Sequence, residues 1–415
     1  MIARERLDDP HEARSNSMPN RGATKRIAFE DTSVAFACQP NGKLLKTYWL
    51  FALMSQAWLV NIGTFFIKIA LRLQLPIKGL IKNTIFEQFC GGESIRDCEK
   101  TIQKLHSGQI GTILDYSVEG EESDKCFDAT TLEILRTIER ASETTDIPFS
   151  VFKMTGIAPT DLLEAVQIGD SLSKDQKIEF DRVLERVDRL CRRAAERNVK
   201  IFIDAEESWI QDTVDTLAYE MMDRYNHDRP IVYNTYQFYR WDALTRLEQA
   251  TREAREKGYA LGTKLVRGAY MEKERLRSHE CEYQDPIQPT KEDTDRDFNT
   301  AVDFCLNNRD TVSMCLGTHN EYSCQHCTER MTQSAVQPND PHVWFAQLLG
   351  MSDNVSYNLA QAGYNVAKYV PYGPVEAVMP YLFRRADENT SIAGQTSREF
   401  SLISNELTRR KGRHK

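Results

Sequence analysis

The strongest constraint on this chain is a repetition. From residue 110 onward, short apolar runs rich in β-branched and aromatic residues alternate with longer amphipathic stretches. The runs are "IGTILDYSV" (110–118), "FSVFKMT" (149–155), "VKIFIDAEE" (199–207) and "PIVYNTYQ" (230–237), followed by "LGTKLVRGAY" (261–270), "TVSMCLGTHN" (311–320), "VWFAQLLG" (343–350) and "NVAKYVPYG" (365–373). Each reads as a buried strand. The stretches between read as helices, most clearly "DQKIEFDRVLERVDRLCRRAAERN" (175–198), whose apolar positions recur every three or four residues. Strand then helix, eight times over, predicts an α/β fold of the (βα)8 barrel type. A doubly wound sheet is the alternative, but no GxGxxG or P-loop pattern follows any strand.

The 415 residues divide on this reading into a polar, poorly ordered segment over 1–40, a helical region over 41–108 and the barrel over 109–410. A net charge of −8 without a basic patch argues against a nucleic-acid surface, and the basic end "RRKGRHK" reads as a solvated tail. Ten cysteines and no secretory signal predict free thiols in a reducing compartment. The pair Cys324 and Cys327 in "CQHC", with His326 between them, lacks a second CxxC. A structural zinc site needs four ligands, so no metal is expected. Glu5, Asp8, Asp9 and Glu12 among the arginines do not fit a mitochondrial transit peptide. Residues 48–67 are twenty positions without a charge, long enough for a bilayer. Ser55, Gln56, Asn61 and Thr64 interrupt them, which predicts a helix or helix pair packed on the body and touching a membrane surface.

Polar residues gather at one end of the predicted strands. Lys153, Asp204, Gln237, Arg267, Thr318, His319 and Tyr369 all lie at or near the C-terminal ends of their runs, where barrel enzymes hold their active sites. Lys264 and Arg267 are two cations in one buried-looking strand, and such charges need a carboxylate or an anionic ligand. Asp204 is the candidate partner for Lys264 across the mouth, while Glu206 and Glu207 read as acids at a helix start. Lys153 adds to a positive pocket, and a strand lysine also admits Schiff-base chemistry.

After the eighth run comes a helix predicted over 375–389, "VEAVMPYLFRRADEN", with Pro374 as its start signal. Its adjacent Arg384 and Arg385 point about 100° apart, so a single solvated face does not account for both. Two guanidiniums at a barrel mouth suit a small carboxylate, whose geometry their planar forks match. Tyr381 stands three and four residues before them and shares a face with either.

The stretches "TKLVRGAY", "DAEESW", "NTYQFY", "GTHNE", "QLLGMSDNVSYNLAQAGYNVAKYVPYGP" and "YLFRRADENTS" resemble the proline dehydrogenase family, in its monofunctional branch, from about residue 85 to 405. The resemblance implies a distorted (βα)8 flavoenzyme that oxidises L-proline to Δ1-pyrroline-5-carboxylate. FAD would lie across the strand C-termini, with the electrons passing to a membrane quinone. Carried over by position, Arg384 and Arg385 would bind the substrate carboxylate with help from Lys153. Tyr270, Tyr369 and Tyr381 would wall the proline ring, with Leu265 near the flavin. Lys264, supported by Asp204, would stand beside the hydride-accepting nitrogen as the catalytic pair. Gln237 would hydrogen-bond the cofactor ring, and Ala205 would also belong to the cofactor site. Arg267, Gly268 and Ala269 would follow the phosphates and ribityl chain, and Thr318, His319 and Glu388 would complete the cofactor site.

Three other readings differ in chemistry. The first is a 4-hydroxyproline dehydrogenase, disfavoured because Tyr369 would crowd a ring hydroxyl. The second is a Schiff-base aldolase using Lys264 or Lys153. The third is a non-catalytic, membrane-associated binding protein. The expected location is the cytoplasmic side of a bacterial inner membrane, peripherally attached, with the matrix side of the mitochondrial inner membrane as the alternative. No sequence feature sets an oligomeric state.

Overall fold

A computed structural model of the protein describes residues 26–73, 75–118, 123–391 and 395–412. Eight parallel strands close into one barrel in the order β1 to β8, each hydrogen-bonded to the next and β8 to β1. The strands are β1 (Gly111–Tyr116), β2 (Phe149–Lys153), β3 (Lys200–Asp204) and β4 (Val232–Gln237), then β5 (Leu261–Val266), β6 (Val312–Gly317), β7 (Val343–Leu348) and β8 (Val366–Tyr372). Every expected run contains one strand. The strands stop short where the polar residues that follow turn outward into loops.

The N-terminal helices are α1 (Thr32–Ala35), α2 (Asn41–Met54), α3 (Ala57–Arg72), α4 (Lys78–Ile81), α5 (Glu87–Phe89) and α6 (Ile95–Ser107). The first strands are followed by α7 (Asp124–Ser142), α8 (Thr160–Gln167), α9 (Lys174–Arg197), α10 (Ser208–Tyr225) and α11 (Ala243–Lys257). The later ones are followed by α12 (Met271–Glu280), α13 (Lys291–Asn307), α14 (Glu321–Gln333), α15 (Asp353–Gln361), α16 (Met379–Ser391) and α17 (Gln395–Gly412). Local chemistry sets their ends. Ser173 and Gln176 form a reciprocal capping box at the start of α9, and Asn198 closes it in the left-handed region at φ 54°.

The barrel interior is filled below the site by an aromatic floor. Phe149 stacks on Phe202 with centroids 4.3 Å apart, and Tyr233 meets both edge-on at 5.5 Å. With Ile113, Val151 and Cys315 they make a dry plug, and the polar residues sit above it. Strand alternation sends the other side chains, Leu265 among them, into the barrel–helix layer.

Residues 1–25 of the expected disordered segment lie outside the described residues. The remainder of that segment is ordered rather than loose, because Phe29, Ala35 and Phe36 are buried. The helix expected over 375–389 begins later, at Met379. Ala377 and Val378 both donate backbone N–H groups to the Pro374 carbonyl, so a turn precedes the helix.

Helix α17 is tied to α1 through one carboxylate. Buried Glu406 accepts hydrogen bonds from Thr32 (2.9 Å), Arg409 (2.7 Å) and Arg410 (2.6 Å), which ties α17 to α1. Burial opposes the charge on Glu406, but these donors win and hold it down at about 2.

Candidate active site

The mouth of the barrel is built from strand C-termini. Lys264, on β5, is buried and forms an ion pair with Asp204, the last residue of β3. It also donates a 2.7 Å hydrogen bond to the hydroxyl of Tyr369 on β8. Its ammonium lies 4.6 Å from the Tyr369 ring centroid and 5.3 Å from that of Phe202. Three strands thus fix one cation over the aromatic floor. Register places Lys153 of β2 beside Asp204.

Arg267 leaves β5 at the mouth and is held on all sides. It donates to Asp295 at 2.7 Å, to Thr318 Oγ1 at 2.9 Å and to Ser323 Oγ at 2.9 Å, over the Phe298 ring. Thr318 and Arg267, expected in one site, are therefore in direct contact. Gly268 follows with φ +129°, and a Cβ there would lie 2.5 Å from the Tyr239 ring. The positive φ and the adjacent ring, which fills the place of a side chain, together account for glycine here. Gly268 and Ala269 are exposed at the mouth, and Tyr270 caps the start of α12.

His319 is half-buried and bonds through Nδ1 to Ser352 Oγ at 3.0 Å. Burial first, then the charges of Lys368 and Arg385, push it down to about 3, so it stays neutral. Gln237, on β4, donates to the Glu206 carbonyl at 2.6 Å, and it lines a small cavity with Ala205.

Helix α16 closes over this mouth. Arg385 is 8% exposed, with its guanidinium 5.0 Å from the Tyr381 ring centroid. Its charge acts on His319, at β6, whereas that of Arg384 acts on Tyr270, beyond β5. The two arginines thus lie within electrostatic reach of different parts of one rim. Burial, with Glu206, Glu207 and Asp204 nearby, raises the Tyr270 hydroxyl well above its usual value, and Arg384 opposes them. The Glu388 side chain lies outside the described residues.

Two expectations need correction. Leu265, expected beside the flavin, is buried in the barrel–helix layer, because neighbouring strand residues face opposite sides and Lys264 takes the interior. Glu206 is not a solvated helix-start acid. It is buried, accepting hydrogen bonds from the backbone and hydroxyl of Thr155, while Glu207 occupies the N-cap of α10 without a side-chain cap.

The sequence reading also missed several residues. Asp115, near the end of β1, is half-buried; desolvation raises its carboxyl, the charge of Lys153 acts against that, Asp204 adds to it, and Ser117 and Lys264 oppose it. It ends an apolar run as Asp204 does, so the same rule would have found it. Lys368 is fully buried and bonds Met351 O at 2.7 Å and Asp353 at 2.8 Å. Glu399 reaches in from α17 to accept the Ser352 backbone N–H. In sequence, nothing marks either as a neighbour of His319.

A cavity of about 360 Å³ opens elsewhere, at the N-terminal ends of β1 and β8, lined by Gly111, Val366, His106 and Asp146. No expected site residue lines it. Cys324 and Cys327 are buried on α14 as thiols, and His326 pairs with Asp303. Among the described residues, no group of three or more His, Cys, Asp or Glu side chains could hold a metal ion.

A family model described as "Proline dehydrogenase" matches residues 98–398, from α6 through the start of α17. The Dictyostelium discoideum protein "Proline dehydrogenase 1, mitochondrial" is 33% identical across 94% of this chain and 76% of its own length. The Homo sapiens protein of the same name is 40% identical across 57% of this chain and 40% of its own. Among solved structures, proline utilization A (PutA) from Bdellovibrio bacteriovorus is similar in fold. Its TM-score is 0.69 at 16% identity, over 88% of this chain and 38% of that one. The chain thus spans less than half of that larger protein. The match takes in every strand of the barrel and the arginine helix above it: this chain belongs to the proline dehydrogenase family of oxidoreductases.

Proposed function

We propose that the protein binds FAD and oxidises L-proline to Δ1-pyrroline-5-carboxylate, passing the electrons to a membrane quinone. One observation carries this reading: the fixed Lys264–Asp204–Tyr369 set lies beneath a helix bearing two arginines over the same mouth. That layering provides charge below a flat cofactor and a carboxylate clamp above it.

The donor set fits a flavin dinucleotide. Arg267 supplies a fixed cation beside the exposed backbone of Gly268 and Ala269, where a pyrophosphate and ribityl chain would run. Thr318, neutral His319 and Glu388 would complete that side, and Gln237 with Ala205 would meet the ring. When bound, the cofactor supplies the hydride acceptor. Lys264, pinned by Asp204, holds positive charge where negative charge must be stabilised during transfer.

Arg384 and Arg385 would take the proline carboxylate from two directions, with Lys153 adding to the positive field. Tyr270, Tyr369 and Tyr381 would wall the ring and exclude water. The Tyr369 hydroxyl is fixed by Lys264, so it cannot swing away from an added ring hydroxyl. Proline is therefore the preferred substrate over trans-4-hydroxy-L-proline, and kcat/KM should rank them so.

The relatives named mitochondrial favour the mitochondrial alternative over the bacterial one. The reaction is tested by supplying proline and a soluble quinone, and trapping the product with o-aminobenzaldehyde. A proline-dependent adduct supports the assignment. Its absence from FAD-reconstituted protein contradicts it.

A further inference from the structure

Helix α3 carries apolar residues on two faces. Val60 and Ile67 pack inward on the cluster that contains Val375, Met379 and Leu382. Trp58, Ile62, Phe65, Phe66, Ile69 and Leu73 follow helical spacing on the other side, each between 39% and 64% exposed. A water-soluble helix turns such a stripe towards the core. Here the core-facing stripe is already filled, and this is a second one. Helix α2 repeats the pattern, with exposed Leu45, Trp49 and Leu53 at four-residue intervals opposite buried Leu44, Phe51 and Met54. Of the nineteen large apolar side chains exposed among the described residues, eleven fall between Leu45 and Leu80. That concentration marks a docking surface rather than scatter.

Charge decides what covers it. Residues 41–86 contain six basic residues, Lys43, Lys46, Lys68, Arg72, Lys78 and Lys82, and no acidic one, in a chain of net charge −8. Lys46, Lys78 and Lys82 pair at the surface with Glu87, Glu93 and Glu376. Six cations against those three acids still leave an excess of three positive charges. A second copy would bring the same sign to this surface, whereas an anionic leaflet brings the opposite one. Exposed Trp49 and Trp58 suit a boundary that is apolar on one side and wet on the other.

Geometry decides the depth. Among the described residues no single helix is long and apolar enough to cross a membrane, and α2 and α3 are bent by 95°. Helix α3 has 16 residues, roughly 24 Å, against a hydrocarbon core of about 30 Å. We propose that α2 and α3 form a monotopic docking surface for an anionic phospholipid leaflet, lying within its interface. Helix α3 also packs on α16, so docking holds the arginine helix at the membrane. That consequence rests on the proposed reaction, whereas the lipid binding does not.

The test is flotation of the purified full-length protein with phosphatidylcholine vesicles, with and without phosphatidylglycerol. The protein should float with the anionic vesicles and be released by salt. The double variant Phe65→Ser/Phe66→Ser should bind at least about 100-fold more weakly, with unchanged melting and unchanged flavin reduction by proline. The proposal is overturned if the native protein does not float with anionic vesicles, or if the double variant floats equally well. It is also overturned if sedimentation finds that these residues drive self-association instead. Flotation without any reduction by proline would sink the proposed reaction and leave the docking surface standing.

Discussion

Lys264 on β5 and Tyr369 on β8 meet inside the barrel, ammonium to hydroxyl at 2.7 Å, although they are 105 residues apart in sequence. Asp204 completes the set from β3. A buried lysine is held in place here by one carboxylate and two ring faces, and each element depends on barrel closure.

Lys264→Met removes the cation and leaves the half-buried Asp204 carboxylate without its ion-pair partner. The rate of flavin reduction should fall by about 100- to 1,000-fold, the loss typical of a donor to developing charge. KM should move much less, because the arginine clamp is untouched. Stopped-flow reduction of the FAD-loaded variant separates the two effects, and an unchanged rate with a raised KM would reassign Lys264 to substrate binding.

Arg384→Met and Arg385→Met should each raise KM for proline, by about 2–4 kcal/mol of lost carboxylate pairing. Arg385 is the more buried, so its loss should cost more. Equal, native-like KM values in both variants would mean that α16 does not hold substrate.

Gly268→Ala should destabilise the protein by about 1–3 kcal/mol and weaken FAD retention. Its φ of +129° disfavours a side chain, and the new methyl would meet Tyr239. Thermal melting with and without added FAD reads both effects.

Glu399 sets a pH dependence. Burial first, and then the Asp353 charge, push its carboxyl up to about 7, while the Ser352 N–H and Lys368 act the other way. A folded value above the ordinary one means that the unfolded chain gives up its proton first as pH rises. Stability therefore declines from about pH 4.5 to 7 on account of this group. Glu399→Gln should flatten that decline, measured as Tm across the range.

Much of this was legible in sequence because parallel barrel strands are buried on both faces and announce themselves as apolar runs. The charged interruptions of those runs, Lys264 and Asp204, were legible for the same reason. Other features were not. The start of α16 at Met379 depends on a turn around Pro374 that competes with helix. The inward reach of Glu399 depends on where α17 lands, which no local pattern encodes. Leu265 was misplaced because a motif gives neighbours in sequence, whereas strand alternation separates them in space.

The central claim is that proline reduces a flavin held at this barrel mouth. Its most direct test is the anaerobic visible spectrum of FAD-loaded protein before and after addition of L-proline. The account predicts that the oxidised-flavin bands bleach with proline. Bands that persist under saturating proline, or protein that cannot be loaded with FAD, would contradict it.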